Sequence, residues 1–365
     1  MNDSMVYVRQ NIDRLEPYVP GEQPQQAGIT KLNTNENPYP PSPAVLAAVR
    51  AVDGEALRRY PPPSAPAFRE MAASVHGVSP DRVIATNGGD ELLRLAVTVF
   101  CEPVGDGRGG IAMTDPTYSL YGVLAAIGNT AVMRAPLNED WSLPDDLAER
   151  VAGAGCHLLL LVSPHAPSGA ARPLEQLEAI SRRLRGRAVL LIDEAYIDFA
   201  EADALPLLHA GSDHDNVLVL RTLSKGYSLA GLRFGYGLGH PDLIAALDKA
   251  RDSYNTDALA QAGAVAALQH REEAAGTWQA VRDERDRLAE ALQSRGYEVV
   301  PSQSNFLLAG PPPAGPDAAA IYRSLKRRGV LVRYFDQDRL RDKLRITIGT
   351  LPQNAQLLKQ LDAGC

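Results

Sequence analysis

Five residues able to do chemistry together follow one another in a single stretch: Asp193, Tyr196, Ser224, Lys225 and Arg233. They are an acid, a phenol, a hydroxyl, an amine and a guanidinium. Each group follows an apolar run, Ala188-Val189-Leu190-Leu191-Ile192 before the acid and Val217-Leu218-Val219-Leu220 before the lysine. Apolar runs of this length that close on polar residues read as buried parallel strands with reactive groups at their carboxyl ends. That edge is where open α/β sheets bind ligands. A lysine there is costly to desolvate unless it is paired or used. One productive use is a Schiff base with a carbonyl, which needs the neutral amine.

Given such a lysine, Asp193 suits the partner of a pyridinium nitrogen, keeping the ring protonated as an electron sink. Tyr196 then donates to a ring phenolate oxygen. Ser224 and Thr222 with Arg233 suit a phosphate, the arginine through two parallel charge-assisted bonds. Backbone amides at Gly89 and Asp90, opening a helix, form an anion seat, and Tyr118 at the end of a further strand can stack on a flat ring. Taken singly each part has a plainer reading. Asp-Glu-Ala-Tyr is a structural strand end, Ser-Lys a surface pair, and Gly-Gly-Asp a turn with capping chemistry. Their occurrence in order on successive strand ends points to pyridoxal 5′-phosphate.

The elements that must position these groups read as an α/β chain. Residues 1–42 carry Pro17, Pro20, Pro24, Pro38, Pro40 and Pro41 and are expected as an extended arm. Helices are expected at 45–52 and 65–76, a strand at 82–86, a turn at 87–90 and a helix at 91–100. Strands at 111–113, 130–135 and 157–162 alternate with helices ending at 127, at 147–151 and at 174–184. Strands alternating with helices imply a mostly parallel sheet covered on both faces. Beyond Pro241 helices are expected at 242–250 and through a long segment, 258–293. Strands follow within 299–308, a helix at 318–328, strands at 330–333 and 344–348, and a helix at 354–361. The division expected is an arm (1–42), a large cofactor-binding domain (43–255, its first helices assignable to the small domain) and a smaller α+β domain (256–365), joined by a long helix near 255–265.

At 365 residues the chain suggests two domains. A net charge of −7 argues against non-specific nucleic-acid binding, which needs clustered Lys and Arg. No run approaches a membrane span of roughly 18 apolar residues. Met1-Asn2-Asp3-Ser4 lacks the layout of a signal peptide. Cys101, Cys156 and Cys365 have no metal-type spacing and read as inert thiols of a reducing cytoplasm, with no metal site.

The chain resembles the fold-type I pyridoxal-phosphate (class II) aminotransferases and, among them, the histidinol-phosphate aminotransferases. The resemblance runs from Leu15 to about Thr350. It is carried by Leu15-Glu16-Pro17-Tyr18-Val19-Pro20-Gly21, Leu32-Asn33-Thr34-Asn35-Glu36-Asn37-Pro38, Arg59-Tyr60-Pro61, Asp115-Pro116-Thr117-Tyr118, Asp193-Glu194-Ala195-Tyr196, Thr222-Leu223-Ser224-Lys225, Ala230-Gly231-Leu232-Arg233 and Leu344-Arg345-Ile346-Thr347-Ile348-Gly349-Thr350. It implies a large domain with a mostly parallel sheet and a smaller α+β domain. It also implies amino transfer from a small-molecule donor to a 2-oxo acid, with L-histidinol phosphate and 2-oxoglutarate as the pair. By resemblance Lys225 is the covalent tether and general acid–base, Asp193 the pyridinium partner and Tyr196 the donor to the ring oxygen. Arg345, joined by Arg333, Tyr18 and Asn37, would meet the substrate. Tyr60 would reach the cofactor phosphate of a neighbouring subunit, which implies a homodimer. For Arg333 and Tyr18 the plainer readings, a surface ion pair and simple docking of the arm, stand beside these.

One motif departs from the pattern. Where the family has Asn-Asn-Pro-Thr-Gly, this chain has His165-Ala166-Pro167-Ser168-Gly169. The amide that donates to the ring oxygen falls at Ala166, which has nothing to donate. Two readings stand: the His165 ring N–H substitutes, or His165 fills space and Tyr196 donates alone. A decarboxylase of a phosphorylated amino acid and an aromatic amino-acid aminotransferase share this scaffold. A cofactor-binding regulator is a third alternative, but the chain has no appended basic helix-turn-helix.

Overall fold

The computed structural model describes residues 7–24, 28–104, 109–209, 211 and 213–364. The expectations at Met1-Asn2-Asp3-Ser4 and Cys365 lie outside them. A seven-stranded sheet runs in the order Val83–Thr86, Gly235–Gly239, Val217–Thr222, Val189–Asp193, Cys156–Val162, Gly110–Asp115, Val132–Pro136. All strands are parallel except Gly235–Gly239, which is antiparallel to both neighbours. Alternate residues feed two cores, as the pleat requires. Leu191, Leu218, Leu220 and Leu160 pack with helices Gly88–Phe100, Leu120–Gly128 and Pro241–Ala250. Leu190, Ile192, Val219 and Leu161 pack with Leu147–Gly153 and Leu174–Leu184. Each such fully buried aliphatic side chain contributes about 1.5–3 kcal/mol. Because the strands run parallel, Thr86, Asp115, Val162, Asp193 and Thr222 all end on one edge.

The Gly235–Gly239 strand was not expected from the sequence, since Gly-Tyr-Gly-Leu-Gly carries no β signal. Its glycines are needed for close approach: a Cβ on Gly237 would fall 2.8 Å from Leu92 Cδ2, and one on Gly235 2.6 Å from the Gly88 carbonyl carbon. The expected turn at 87–90 is instead the opening of a helix, Gly88–Phe100. The expected long helix at 258–293 breaks at His270 into Ala258–Gln269 and Arg271–Gln293. The first of these packs on helices Pro43–Arg50 and Pro66–His76.

A second sheet, fully antiparallel, runs Arg333–Tyr334, Leu344–Thr347, Phe306–Gly310, Glu298–Val299. Helices Arg271–Gln293, Ala318–Arg327 and Leu351–Asp362 accompany it. The expected strand at 330–333 is split: Val330–Leu331 pairs in parallel with Thr30–Lys31 of the arm, and Arg333–Tyr334 joins the second sheet. The arm is thus stitched into the body, with Leu32 fully buried just beyond its strand. No helix of the described residues is long and apolar enough to cross a membrane.

Candidate active site

The carboxyl edge of the large sheet, the arm and the second sheet enclose a cavity of about 240 Å³. Of the residues singled out from the sequence, Tyr18, Gly89, Asp90, Tyr118, Asp193, Tyr196, Thr222, Ser224, Lys225, Arg233, Arg333 and Arg345 line it. His165, Asn37 and Tyr60 do not.

Lys225 follows the Val217–Thr222 strand, and its Nζ donates to Thr34 O at 3.0 Å. Burial, with the positive charge of Arg345 next, lowers its pKa to about 8 against the pull of Glu36 and Asp90. A substantial neutral fraction at neutral to mildly alkaline pH follows. Asp193 ends its strand buried. Tyr121 Oη donates to Oδ2 at 2.7 Å and the Ala195 amide to Oδ1 at 3.0 Å. Burial raises the carboxyl to about 6, the two donors holding it down against that penalty. An acid so desolvated is poised for a cationic N–H partner.

At the other side, helix Gly88–Phe100 starts without a side-chain cap, leaving its first-turn N–H groups for an anion. Gly88 (φ +74°) lets the Arg233 guanidinium close over this end: a Cβ there would fall 2.6 Å from Arg233 Nη2. Arg233 Nη2 lies 3.4 Å from Asp90 Oδ2, and Thr222 Oγ1 lies 2.9 Å from Ser224 Oγ. Tyr118 packs edge-on against Tyr18 and Tyr121, with ring centroids at 6.1 and 5.6 Å.

Arg345 is half-buried beside the rings of Phe306 and Phe335, its guanidinium 5.3 Å from each centroid. Its Nη2 donates to Asn33 O at 3.2 Å, while Nε has no partner. Arg333 lies 5.1 Å from the Phe335 ring and donates to Val19 O and Pro20 O of the arm. Among the described residues neither guanidinium has a carboxylate partner.

Two expectations are corrected. His165 is fully buried and turned from the cavity. Its Nδ1 is 2.7 Å from Ser168 Oγ and its Nε2 3.0 Å from Pro116 O, and burial lowers its pKa to about 3. Both ring nitrogens are engaged, so His165 does not replace the missing amide. Asn37 is equally committed elsewhere: Nδ2 donates to Gly226 O and Thr277 Oγ1, and Oδ1 accepts from the Tyr39 amide. It anchors the arm rather than facing the cavity. Tyr60 is 79% exposed and stacks on Tyr254 at 4.3 Å, away from this chain's own cavity.

Sequence reasoning missed Asn33, Thr34 and Asn35, which line the cavity in place of Asn37. The run Asn33-Thr34-Asn35-Glu36-Asn37 drew attention, but which amide faces inward depends on the chain path after Thr30–Lys31. It also missed Tyr121, whose amide donates back to Tyr118 O at 3.1 Å in the turn that opens the helix, and Phe335, for which no local signal exists.

This donor set fits pyridoxal 5′-phosphate. A buried carboxylate with one free approach suits the ring nitrogen, a depressed lysine suits the carbonyl, and an uncapped helix end with Arg233 and Ser224 suits the phosphate. The Thr117 hydroxyl, buried without a partner on the cavity wall, is a spare polar group for the same ligand.

Comparison with known proteins agrees with this geometry. Residues 27–361 match the family model described as aminotransferase class I and II. The chain is 44% identical over 356 residues to histidinol-phosphate aminotransferase 1 of Nostoc sp., covering 97% of each chain. It is 43% identical over 354 residues to histidinol-phosphate aminotransferase of Geobacter sulfurreducens, covering 95% of this chain and 96% of that one. Among solved structures it resembles histidinol-phosphate aminotransferase from Sinorhizobium meliloti in complex with pyridoxal-5′-phosphate. That match has a TM-score of 0.87 and 27% identity, covering 99% of this chain and 98% of that one.

Proposed function

The chain belongs to the pyridoxal-phosphate-dependent class I and II aminotransferases, and we propose that it transfers the amino group of L-histidinol phosphate to 2-oxoglutarate in histidine biosynthesis. The observation that carries the substrate reading is the pair Arg333 and Arg345, flanking Phe335 without a carboxylate to neutralise them. Two uncompensated guanidinium groups favour a donor ending in a phosphate, which accepts bidentate charge-assisted bonds. The same groups donate to the carboxylates of the 2-oxo acid in the second half of the reaction. The relatives at 43–44% identity over nearly their whole length support the same choice.

Bound in this cavity, the cofactor supplies an electron sink for the bonds at the substrate's Cα. The rest falls to the chain. Lys225 Nζ would hold the cofactor covalently and, once displaced, would take the proton from the donor's Cα in the first half-reaction and give one to the Cα of the 2-oxo acid in the second, a task matched to its pKa of about 8. Asp193 keeps a proton on the ring nitrogen, steadied by Tyr121. Tyr196 donates to the ring oxygen. Ser224, Arg233 and the Gly89 and Asp90 amides hold the phosphate, and Tyr118 flanks the ring. Tyr18 and the arm segment at Val19 and Pro20 close the substrate side over Arg333.

Homodimeric assembly belongs to the same proposal: Tyr60, exposed and prearranged by stacking on Tyr254, is placed in it as a donor to the partner's phosphate seat. So does a cytoplasmic location, with which the free thiols of Cys101 and Cys156 agree.

The test is a panel of amine donors with 2-oxoglutarate. Preferred glutamate formation with L-histidinol phosphate supports the reading. Preference for aromatic amino acids, or release of carbon dioxide in place of glutamate, overturns it.

A further inference from the structure

The side chain that decides which way the Tyr196 proton points is Asn35. This residue follows the arm's short strand and is 1% exposed, with its backbone in the left-handed region (φ 54°), a conformation asparagine tolerates. Asn305 Nδ2 holds that backbone by donating to Asn35 O at 3.0 Å. Thr347, at the end of the Leu344–Thr347 strand, holds the side chain.

The polarity of the contacts follows from one donor that cannot be reversed. The Asn35 backbone N–H donates to Thr347 Oγ1 at 3.0 Å, so the hydroxyl accepts there. Its single proton then goes to the other contact it makes, Asn35 Oδ1 at 3.1 Å. With its oxygen satisfied by Thr347, the amide turns its NH₂ toward Tyr196 and donates to Oη at 3.0 Å. Tyr196 Oη therefore accepts from behind, and its own proton is left to face the cavity. The ring is held by edge contact with Phe306 at 5.1 Å. Ala166 on the cavity wall has no polar side chain, so this proton is the donor available to the cofactor's ring oxygen.

We propose that Asn35, oriented by Thr347, is a positioning residue that makes Tyr196 an obligatory donor into the cavity, supplying the hydrogen bond that Ala166 cannot. This rests on the reading that Lys225 carries the cofactor with its ring oxygen toward Tyr196. The other groups facing Tyr196 are Arg345 from the second sheet, Lys225 at 5.9 Å from its ring, Asp193, Tyr18 of the arm, and Tyr118 and Tyr121. None of them makes a hydrogen bond to Tyr196 Oη, which Asn35 Nδ2 does.

A donor to the ring oxygen stabilises the form in which that oxygen bears full negative charge, hence the deprotonated state of the Lys225-linked chromophore. Losing it moves the visible-absorbance titration of the cofactor-loaded protein to higher pH. In Asn35→Asp the carboxylate accepts the Tyr196 proton and reverses the contact. In Thr347→Val the amide loses its orientation, and in Thr347→Ser it keeps it.

Expected are upward shifts of about one pH unit in Asn35→Asp and Thr347→Val, the order of one hydrogen bond to a charged group, with Thr347→Ser at the wild-type midpoint. In a Tyr196→Phe background Asn35→Asp should add nothing, because its effect passes through the phenol. An unchanged midpoint in folded, cofactor-loaded Asn35→Asp overturns the inference. So does a shift that persists in full in the Tyr196→Phe background, which would mark a simple charge effect. Absence from the wild type of any band that Lys225→Ala removes overturns the cofactor reading, and the inference with it.

Discussion

The Tyr121 hydroxyl donates to Asp193 Oδ2 at 2.7 Å inside the fully buried floor of the cavity. It joins a residue on helix Leu120–Gly128 to one at the end of the Val189–Asp193 strand, and steadies an anion that burial disfavours. Tyr121→Phe removes that donor and raises the carboxyl further above about 6. Cofactor affinity should fall about tenfold, the value of one hydrogen bond to a charged group. The loss should be larger at pH 6 than at pH 8, because only the lower pH protonates the carboxyl. Titration of apoprotein with pyridoxal 5′-phosphate at both pH values checks it.

Lys225, depressed to about 8, sets the pH dependence of cofactor attachment. The ammonium form does not react, so the rate of loading apoprotein should climb with pH and level off above about 8. An unperturbed lysine would keep climbing toward about 10.4. Stopped-flow absorbance distinguishes the two. Lys225→Ala should abolish turnover yet retain cofactor non-covalently through Asp193, Ser224 and Arg233.

Arg345→Gln should raise KM for the phosphorylated donor by about 10- to 100-fold, the range of one charge-assisted hydrogen-bonded contact. It should also raise the Lys225 pKa, because a neighbouring positive charge is removed. The loading profile should therefore move to higher pH in the same variant.

His165→Ala should leave the titration of the bound cofactor unchanged, since its ring faces Ser168 and Pro116 rather than the cavity. It should destabilise the fold by about 2–3 kcal/mol through buried groups left unpaired. Chemical denaturation beside an absorbance titration checks both halves.

Shared sites make a further prediction. Lys225→Ala and Tyr60→Ala subunits should each be impaired alone. Unfolded together and refolded, they should regain activity, because a hybrid dimer holds one site with both residues intact. Activity that stays at the level of the separate variants argues that Tyr60 acts within its own chain.

The apolar runs before Asp193 and Lys225 were enough to show a parallel sheet with its chemistry on the carboxyl edge, because a strand buried on both faces has no alternative to continuous hydrophobicity. Lys225, Asp193, Tyr196 and Ser224 were legible for that reason, each lying close behind a recognisable strand end, whereas Arg233 was legible only through its motif, Ala230-Gly231-Leu232-Arg233. The broken helix at His270 and the glycine strand at 235–239 were not, since both depend on what packs against them. The same holds at the cavity wall. Nothing in Asn33-Thr34-Asn35-Glu36-Asn37 or His165-Ala166 tells which side chain looks inward. That choice is made by partners distant in sequence: Thr347 and Tyr196 for Asn35, Gly226 and Thr277 for Asn37, and Pro116 for His165. Residue types and local spacing thus determined the sheet and the reactive set, whereas the direction of each hydrogen bond was decided only when the folded chain supplied its donor or acceptor.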